Sequence, residues 1–306
     1  MSMNKLTHGR VTWLNIVDPS PDDIERLREL YPYIHPLHLE DVLSRTERPK
    51  IDDDQDYLFI VMHFPYWDAT RQLTRSREVD FFVGRGYVIT IHDGSLRPLR
   101  VLYERSQIDE TQRQTLMGRG ANHAFYTIID QLVDYILPIL RKVDKNIRDI
   151  EEEIFTSDTR KVIQGIALVR RDVIALRRVI RQQVPIVEQL ERMNHPILHE
   201  DLEEYFGDIS DHLYRERDII DENYEIINSL ADTVDTLATH RINEVMRVLT
   251  VFSVIMLPLT LLSGIYGMNF ESVPLSQHPA GFFIIMFVML VMVILMLIYF
   301  RRRNWL

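Results

Sequence analysis

The sequence has 306 residues, 35 basic and 45 acidic side chains, a formal net charge of −10 and no cysteine. The length would allow about two soluble domains. The lack of cysteine excludes a disulfide scaffold, a thiolate zinc site, an iron–sulfur protein and a cysteine nucleophile. The acidic balance argues against a nucleic-acid-binding protein. From residue 248 onward the charged residues are Glu271 and Arg301 to Arg303, so the acidic charge belongs to the part before.

Residues 1–120 have the mixed pattern of an α+β domain. Segments rich in β-branched and aromatic residues predict strands at 11–17, 57–63, 79–83 and 87–92. Gly84 and Gly86 predict a hairpin between the last two. Ser20, followed by Pro21 and two acids, predicts the start of a helix, because serine caps a helix and proline suits its first position.

Residues 121–196 predict a helical hairpin, with apolar residues at helical spacing over 123–155 and 160–190. A stalk helix is predicted over 197–247, where apolar residues advance in steps of 3, 4 or 7. Its pattern has no stop before Tyr266, and Gly207 is the one residue that argues against a continuous helix.

Two segments of 21 residues without formal charge, 248–268 and 280–300, have the length of membrane spans, since a bilayer core needs about 20 apolar residues. Arg241 and Arg247 precede the first span and Arg301 to Arg303 follow the second, whereas the loop 269–279 has no basic residue. The positive-inside rule therefore predicts a protein of the cell (inner) membrane with both termini in the cytoplasm.

Polar and small residues of the first span follow one face of a helix. The residues spaced by 3 and 4 are Asn243, Met246, Thr250, Ser253, Leu257, Thr260 and Gly264. Such a stripe either packs against another helix in lipid or faces a water-filled path. Two helices in one chain cannot enclose a pore, so the second interpretation requires several subunits around an axis.

The segment Tyr266-Gly267-Met268-Asn269-Phe270 ends the first span. Together with Asn243-Glu244-Val245-Met246, Leu249-Thr250 and Pro258-Leu259-Thr260, it resembles the CorA family of divalent-cation channels, whose signature is Gly-Met-Asn. The resemblance implies a funnel-shaped homopentamer with an αβα cytoplasmic domain, a long stalk helix that becomes the pore-lining span, and an outer second span.

The resemblance also implies roles for individual residues. The selectivity filter would be Gly267, Met268 and Asn269, with Asn269 forming the outer ring. Thr260 and Gly264 would line the pore, and Asn243, Met246, Leu249 and Leu257 would build an apolar inner gate. Thr250 and Ser253 belong to the same pore-lining stripe.

The implied ion is Mg²⁺, which prefers oxygen ligands and gives up water reluctantly. Neutral amide and carbonyl oxygens can hold it through its hydration shell. Many family members continue with Met-Pro-Glu-Leu after the signature, whereas this chain reads Val273-Pro274-Leu275-Ser276. Glu271 either concentrates cations at the mouth or is a solvated loop residue. Transport of Zn²⁺, as in the ZntB branch, or of Co²⁺ or Ni²⁺, therefore remains an alternative.

The family is gated by intracellular Mg²⁺ bound between cytoplasmic domains. An ungapped alignment from Asn243 backwards implies Asp208 and Asp211 as its ligands, with a partner acid among Asp80, Asp93 and Asp68. The stalk has many other acids, so a solvated acidic face is the competing interpretation. A membrane-anchored sensor without conduction is the alternative from another class. The sequence shows no nucleophile–base set that would indicate an enzyme.

Overall fold

A computed structural model describes residues 3–44, 47–71, 73–156, 158–198, 202–268, 278–303 and 305. Its internal contacts divide the chain into a first unit, Met1–Ala231, and a second unit, Asp232–Leu306. The domain boundaries predicted after residues 120, 196 and 247 stay predictions.

The first unit contains a six-stranded mixed sheet in the order β1-β2-β6-β5-β4-β3. The strands are β1 Met3–His8, β2 Val11–Val17, β3 Lys50–Asp53, β4 Tyr57–Asp68, β5 Leu73–Gly84 and β6 Tyr87–His92. β2 and β6 run parallel, and the other neighbouring pairs are antiparallel. The predicted strands and the β5–β6 hairpin are confirmed, but the sequence pattern does not predict β1 and β3.

The described residues form nine α-helices. They are α1 Pro21–Leu30, α2 Pro36–Ser44, α3 Arg97–Ile108, α4 Glu110–Met117, α5 Ala121–Asp134, α6 Ile136–Glu153, α7 Thr159–Arg192, α8 Glu203–Tyr266 and α9 Gly281–Arg302. The predicted start of α1 is confirmed by a capping box. Asp23 N–H donates to the Ser20 hydroxyl at 3.3 Å, and Ser20 N–H donates to the Asp23 carboxylate at 2.9 Å.

Helices cover both faces of the sheet, as the αβα prediction requires. Leu14 of β2 and Leu27 of α1 belong to one buried cluster. The adjacent Trp13 points to the opposite face, where its ring lies 5.0 Å from that of Tyr103 in α3. Successive side chains of a strand alternate between faces, so α1 and α3 lie on opposite sides of the sheet.

The single helix predicted over 123–155 is wrong, because the chain turns at Tyr135 between α5 and α6. Pro138 explains the break. It has no amide hydrogen for the carbonyl of Asp134, four residues earlier, so the helical ladder is interrupted there.

The long helix predicted from residue 197 begins later, at Glu203, and runs to Tyr266 as α8. Gly207 lies within α8 and does not interrupt it. By length and composition, α8 and α9 are each able to cross a membrane. α9 coincides with the second predicted span to within two residues at either end.

Candidate ion pathway and metal sites

The residues predicted to line a pore lie along α8 and are exposed in the single chain. This holds for Asn243, Met246, Leu249, Thr250, Ser253, Leu257, Thr260 and Gly264. The exposed fraction reaches 70% for Leu257. Large apolar side chains left exposed on such a face mark an interaction surface or a lipid-facing one.

Both threonine hydroxyls on this face donate their hydrogen to the backbone of the helix. Thr250 donates its hydroxyl hydrogen to the carbonyl of Met246 at 2.7 Å, and Thr260 donates to that of Met256 at 2.8 Å. Since a hydroxyl has one hydrogen and two lone pairs, each oxygen is left as an acceptor. The water shell of a cation presents hydrogens outward, and these oxygens can accept them.

A groove of about 720 Å³ follows the same face. Its lining includes Ser253, Leu257, Thr260 and Gly264. A Cβ atom added to Gly264 would meet no atom within 4 Å, so glycine here leaves the carbonyl side of the helix accessible. Pro258 lies inside the helix and removes the donor that the Val254 carbonyl would otherwise receive.

The outer end of α8 carries part of the predicted filter. Gly267 N–H donates to the carbonyl of Ser263 at 2.9 Å, and Met268 N–H donates to that of Ile265 at 3.3 Å. Asn269 and Glu271 lie outside the described residues, as does the stretch 273–276.

The two predicted regulatory acids face different neighbours. The Asp208 carboxylate lies 4.0 Å from Nε2 of His212, and Nδ1 of His212 lies 3.6 Å from the carboxylate of Asp134 in α5. Asp130, Asp134 and His212 offer ligand atoms that all lie within 4.8 Å of one another. Asp211 lines a groove between α7 and α8 that Asp208 also lines.

Burial and like charge perturb the acids around this cluster. Burial, followed by the nearby Asp134 carboxylate, raises the pKa of Asp130 to about 6. The same two causes, in the same order, raise the pKa of Glu216 to about 8. Glu216 is 4% exposed, and its Oε2 has no hydrogen-bond partner among the described residues. A divalent cation would relieve this repulsion, so the donor set fits a metal ion.

The three candidate partner acids lie in the sheet region of the first unit. Asp93 pairs with Arg77 at 3.0 Å, and Asp80 is 4% exposed. Asp68 accepts hydrogen bonds from the hydroxyl and amide of Thr70, at 2.6 and 3.1 Å. The structure brings Asp80 and Asp93 to one cavity, and Asp68 does not line it.

Asp130, Asp134 and His212 are absent from the sequence-based prediction. Their signal was the i, i+4 spacing of Asp130 with Asp134 on α5 and of Asp208 with His212 on α8, which places each pair on one helix face. That spacing is common on solvated helices. It indicates a cluster only because α5 and α8 face each other in the structure.

Comparison with known proteins identifies the family. Residues 8–302 match the model of the CorA-like Mg²⁺ transporter proteins. The chain belongs to this family. It is 30% identical to the cobalt/magnesium transport protein CorA of Thermotoga maritima, over 96% of this chain and 83% of that protein. It is 23% identical to the zinc transport protein ZntB of Pectobacterium carotovorum, over 65% of this chain and 62% of that protein.

A solved structure gives the same fold. The complete structure of the CorA magnesium transporter from Methanocaldococcus jannaschii matches with a TM-score of 0.88 at 22% identity, over 99% of this chain and 94% of that one. The predicted fold class, an α+β domain followed by a long helix and two apolar C-terminal helices, is therefore confirmed. The chain is a divalent-cation transporter of the CorA type, a family of transporters and not of enzymes.

Proposed function

We propose that the chain forms a passive Mg²⁺ channel in the cell membrane, with a pore built from the α8 helices of a homopentamer. The observation that carries this proposal is one face of α8, on which Asn243, Thr250, Ser253, Thr260 and Gly264 recur together with Met246 and Leu257 at steps of three or four positions. A membrane anchor has no need of such a face.

The chemistry of the face suits a hydrated cation. Thr250 and Thr260 direct acceptor oxygens outward, and the span itself contains no carboxylate. Mg²⁺ surrenders water reluctantly, so neutral oxygens can guide it without trapping it. Gly267, Met268 and Asn269 are proposed as the filter, with Asn269 amide oxygens as its outer ring and Glu271 as a cation collector in the loop.

The gate is proposed at the apolar side chains of Met246, Leu249 and Leu257 on the same helix, with Asn243 at its inner end. A narrow apolar ring excludes water and therefore a hydrated ion, so small movements of α8 would open or close the path.

Regulation is proposed at the acidic face near Asp208. Asp130, Asp134 and His212 would join Asp208 in holding an intracellular divalent ion, and Asp211 would act in the adjoining groove. A neighbouring subunit would supply a further acid from Asp80, Asp93 or Asp68. The ion would offset the repulsion between carboxylates, and its loss would loosen the assembly.

Zn²⁺ is the second candidate ion. It is favoured by the imidazole of His212, since imidazole suits Zn²⁺, Co²⁺ and Ni²⁺ better than Mg²⁺. It is also favoured by the loop sequence 273–276, which lacks the glutamate of the common family motif.

Ion flux into liposomes containing the purified protein tests the proposal. A Mg²⁺-sensitive dye inside should report uptake that follows an imposed potential, which contributes about 2.3 kcal/mol per charge per 100 mV. We expect Asn269→Ala to abolish the flux. Gln277→Ala, which removes an amide from the same predicted loop, should leave it intact.

Two other results of this experiment would favour the alternative functions. Uptake of Zn²⁺ without Mg²⁺ would favour the zinc transporter. No flux of either ion, from a folded oligomer at low internal Mg²⁺, would favour a membrane-anchored sensor.

A further inference from the structure

A cavity of about 320 Å³ lies in the first unit, between α6 and α8. On the α6 side it is lined by Leu137, Leu140, Arg141 and Asp144. These residues stand at i, i+3, i+4 and i+7, so they share one face of the helix. That face is apolar in its first turn and charged in the next.

The α8 side repeats this spacing with a different order of residues. Ile219, Glu222, Asn223 and Ile226 line the cavity, and they again stand at i, i+3, i+4 and i+7. Leucine and isoleucine side chains from both helices therefore give the cavity an aliphatic wall. Its volume lies at the low end of the range of small-molecule sites, about 300–1,000 Å³.

Asn223 is a buried donor without an acceptor. The residue is 3% exposed, and its Nδ2 has no hydrogen-bond partner among the described residues. Ile220 and Ile227, three residues before and four after it, are both 0% exposed, so an apolar side chain would suit this side of the helix. A buried amide nitrogen that lacks an acceptor costs stability. A ligand oxygen in the cavity would supply that acceptor.

Two charged side chains at the cavity are unpaired. Arg141 of α6 and Glu222 of α8 are exposed, and neither side chain forms an ion pair or a hydrogen bond with another described residue. Asp144, in contrast, pairs with Arg148 at 2.7 Å. A guanidinium and a carboxylate thus lie on facing helices at one cavity without contacting each other, and both are available to a ligand.

The balance of these charges selects a zwitterion. Arg141 contributes one positive charge and Glu222 one negative charge, while the pair of Asp144 and Arg148 adds none. A simple anion would face Glu222, and a simple cation would face Arg141, so either would meet a like charge. A ligand carboxylate can accept from the Arg141 guanidinium and the Asn223 amide, and a ligand ammonium can donate to Glu222.

We propose that this cavity binds an aliphatic α-amino acid of about the size of leucine. Its carboxylate lies toward Arg141 and Asn223, its ammonium toward Glu222, and its side chain against Leu140 and Ile226. The site goes beyond the proposed channel function and does not depend on it, because binding can be measured without transport.

Isothermal titration calorimetry of the full-length protein in lipid nanodiscs, with L-leucine as the probe, tests this site. We expect saturable binding of one leucine per chain. Arg141→Gln removes a charged partner of the carboxylate from an exposed position and should weaken binding at least about tenfold. The matched control is Arg170→Gln on α7, an exposed arginine away from the cavity, and its affinity should equal that of the wild type.

Two analogues of leucine test whether both charges are recognised. The compound 4-methylpentanoate lacks the ammonium, and 3-methylbutan-1-amine lacks the carboxylate. Each should bind at least about tenfold more weakly than leucine, since one charged hydrogen-bonding group is missing. Binding of either analogue with the affinity of leucine would contradict recognition of a zwitterion.

A second variant tests the buried donor. Asn223→Leu keeps the branching of the side chain and removes the unpaired amide, so the folded oligomer should be retained while leucine binding falls at least about tenfold. Size-exclusion chromatography of the variant checks the oligomer. Unchanged affinity in Asn223→Leu or Arg141→Gln, equal weakening by Arg170→Gln, or no binding to the folded wild type would overturn the proposal.

Discussion

Glu216 illustrates how one buried side chain links the stalk helix to pH. It lies on α8, and burial together with the Asp134 carboxylate raises its pKa from 4.5 to about 8. In the unfolded chain Glu216 ionises near 4.5, whereas the folded chain holds the proton to about pH 8. Unfolding between these values releases a proton, so the free energy of unfolding falls as pH rises through this window.

Glu216→Gln is expected to remove this loss of stability. The amide has the shape of the protonated acid and no charge to bury, so the variant should exceed the wild type by about 1 kcal/mol or more at pH 8 and match it near pH 4, below the pKa of the unfolded chain. Thermal unfolding in detergent, followed by the fluorescence of the buried Trp13, measures the difference. Glu222→Gln, at an exposed position of the same helix, should show no such pH dependence, and an equal effect in both variants would contradict the argument.

At the scale of a helix, we expect ion flux to depend on which face of α8 a hydroxyl residue occupies, and not only on the presence of that residue. Thr260 lies on the exposed stripe, whereas Ser263 is a small hydroxyl residue off the stripe. Thr260→Ala removes an acceptor for the water shell of the ion and should lower Mg²⁺ flux about fivefold, the cost of about one hydrogen bond. Ser263→Ala should leave the flux unchanged. Liposome flux at matched protein content distinguishes them, and equal effects would favour simple helix packing.

The helices α5 and α8 together make the acidic cluster, so a change on one should alter what the other does. Asp134→Asn removes the carboxylate that lies 3.6 Å from His212. We expect the internal Mg²⁺ concentration that halves the flux to rise at least about tenfold, as for loss of metal-site groups generally. Asp144→Asn on α6, whose carboxylate pairs with Arg148 at 2.7 Å, is the control. An unchanged half-inhibition in Asp134→Asn would remove the cluster from the regulatory site.

Elements with strong local signals could be predicted from the sequence. Ser20 and the acids after Pro21 define the start of α1, and the unbroken apolar run defines α9. The break at Tyr135 was missed because Pro138 sits inside an otherwise regular pattern, as Pro185 and Pro258 do within continuous helices. β1 and β3 are edge strands with several polar residues, so their pairing depends on the neighbouring strand.

The candidate site likewise has a part that could be predicted from the sequence and a part that could not. The stripe on α8 depends on spacing within one helix, so it can be predicted from the sequence. The cluster of Asp130, Asp134 and His212 depends on two helices that are about 80 residues apart in sequence, and tertiary packing of this kind leaves no local pattern. Asp80 resisted ranking for the same reason, because its burial is decided by strands on both sides of β5.

For the whole molecule, the proposed passive mechanism makes the membrane potential the driving force for transport. Every acidic residue except Glu271 precedes the first span, and the arginines 301–303 follow the second. With both termini in the cytoplasm, as the positive-inside rule predicts, a negative interior favours entry of a divalent ion by about 4.6 kcal/mol per 100 mV, twice the value for a single charge. Under the proposed channel function, uptake therefore needs no other energy source.

The number of subunits that share one pore determines how wild-type and variant chains behave when mixed. Suppose that one Asn269→Ala subunit is enough to block the pore. In an equal mixture of wild-type and variant chains, only the oligomers that contain no variant chain then remain active. For five subunits that fraction is about 3%, against about 25% for two, under random assembly of a closed ring. Co-expressed, differently tagged chains reconstituted at several ratios would give the curve, with a mixture of wild type and Gln277→Ala as control. Flux that falls in simple proportion to the wild-type fraction would mean that each chain conducts alone, and it would contradict a pore shared among subunits.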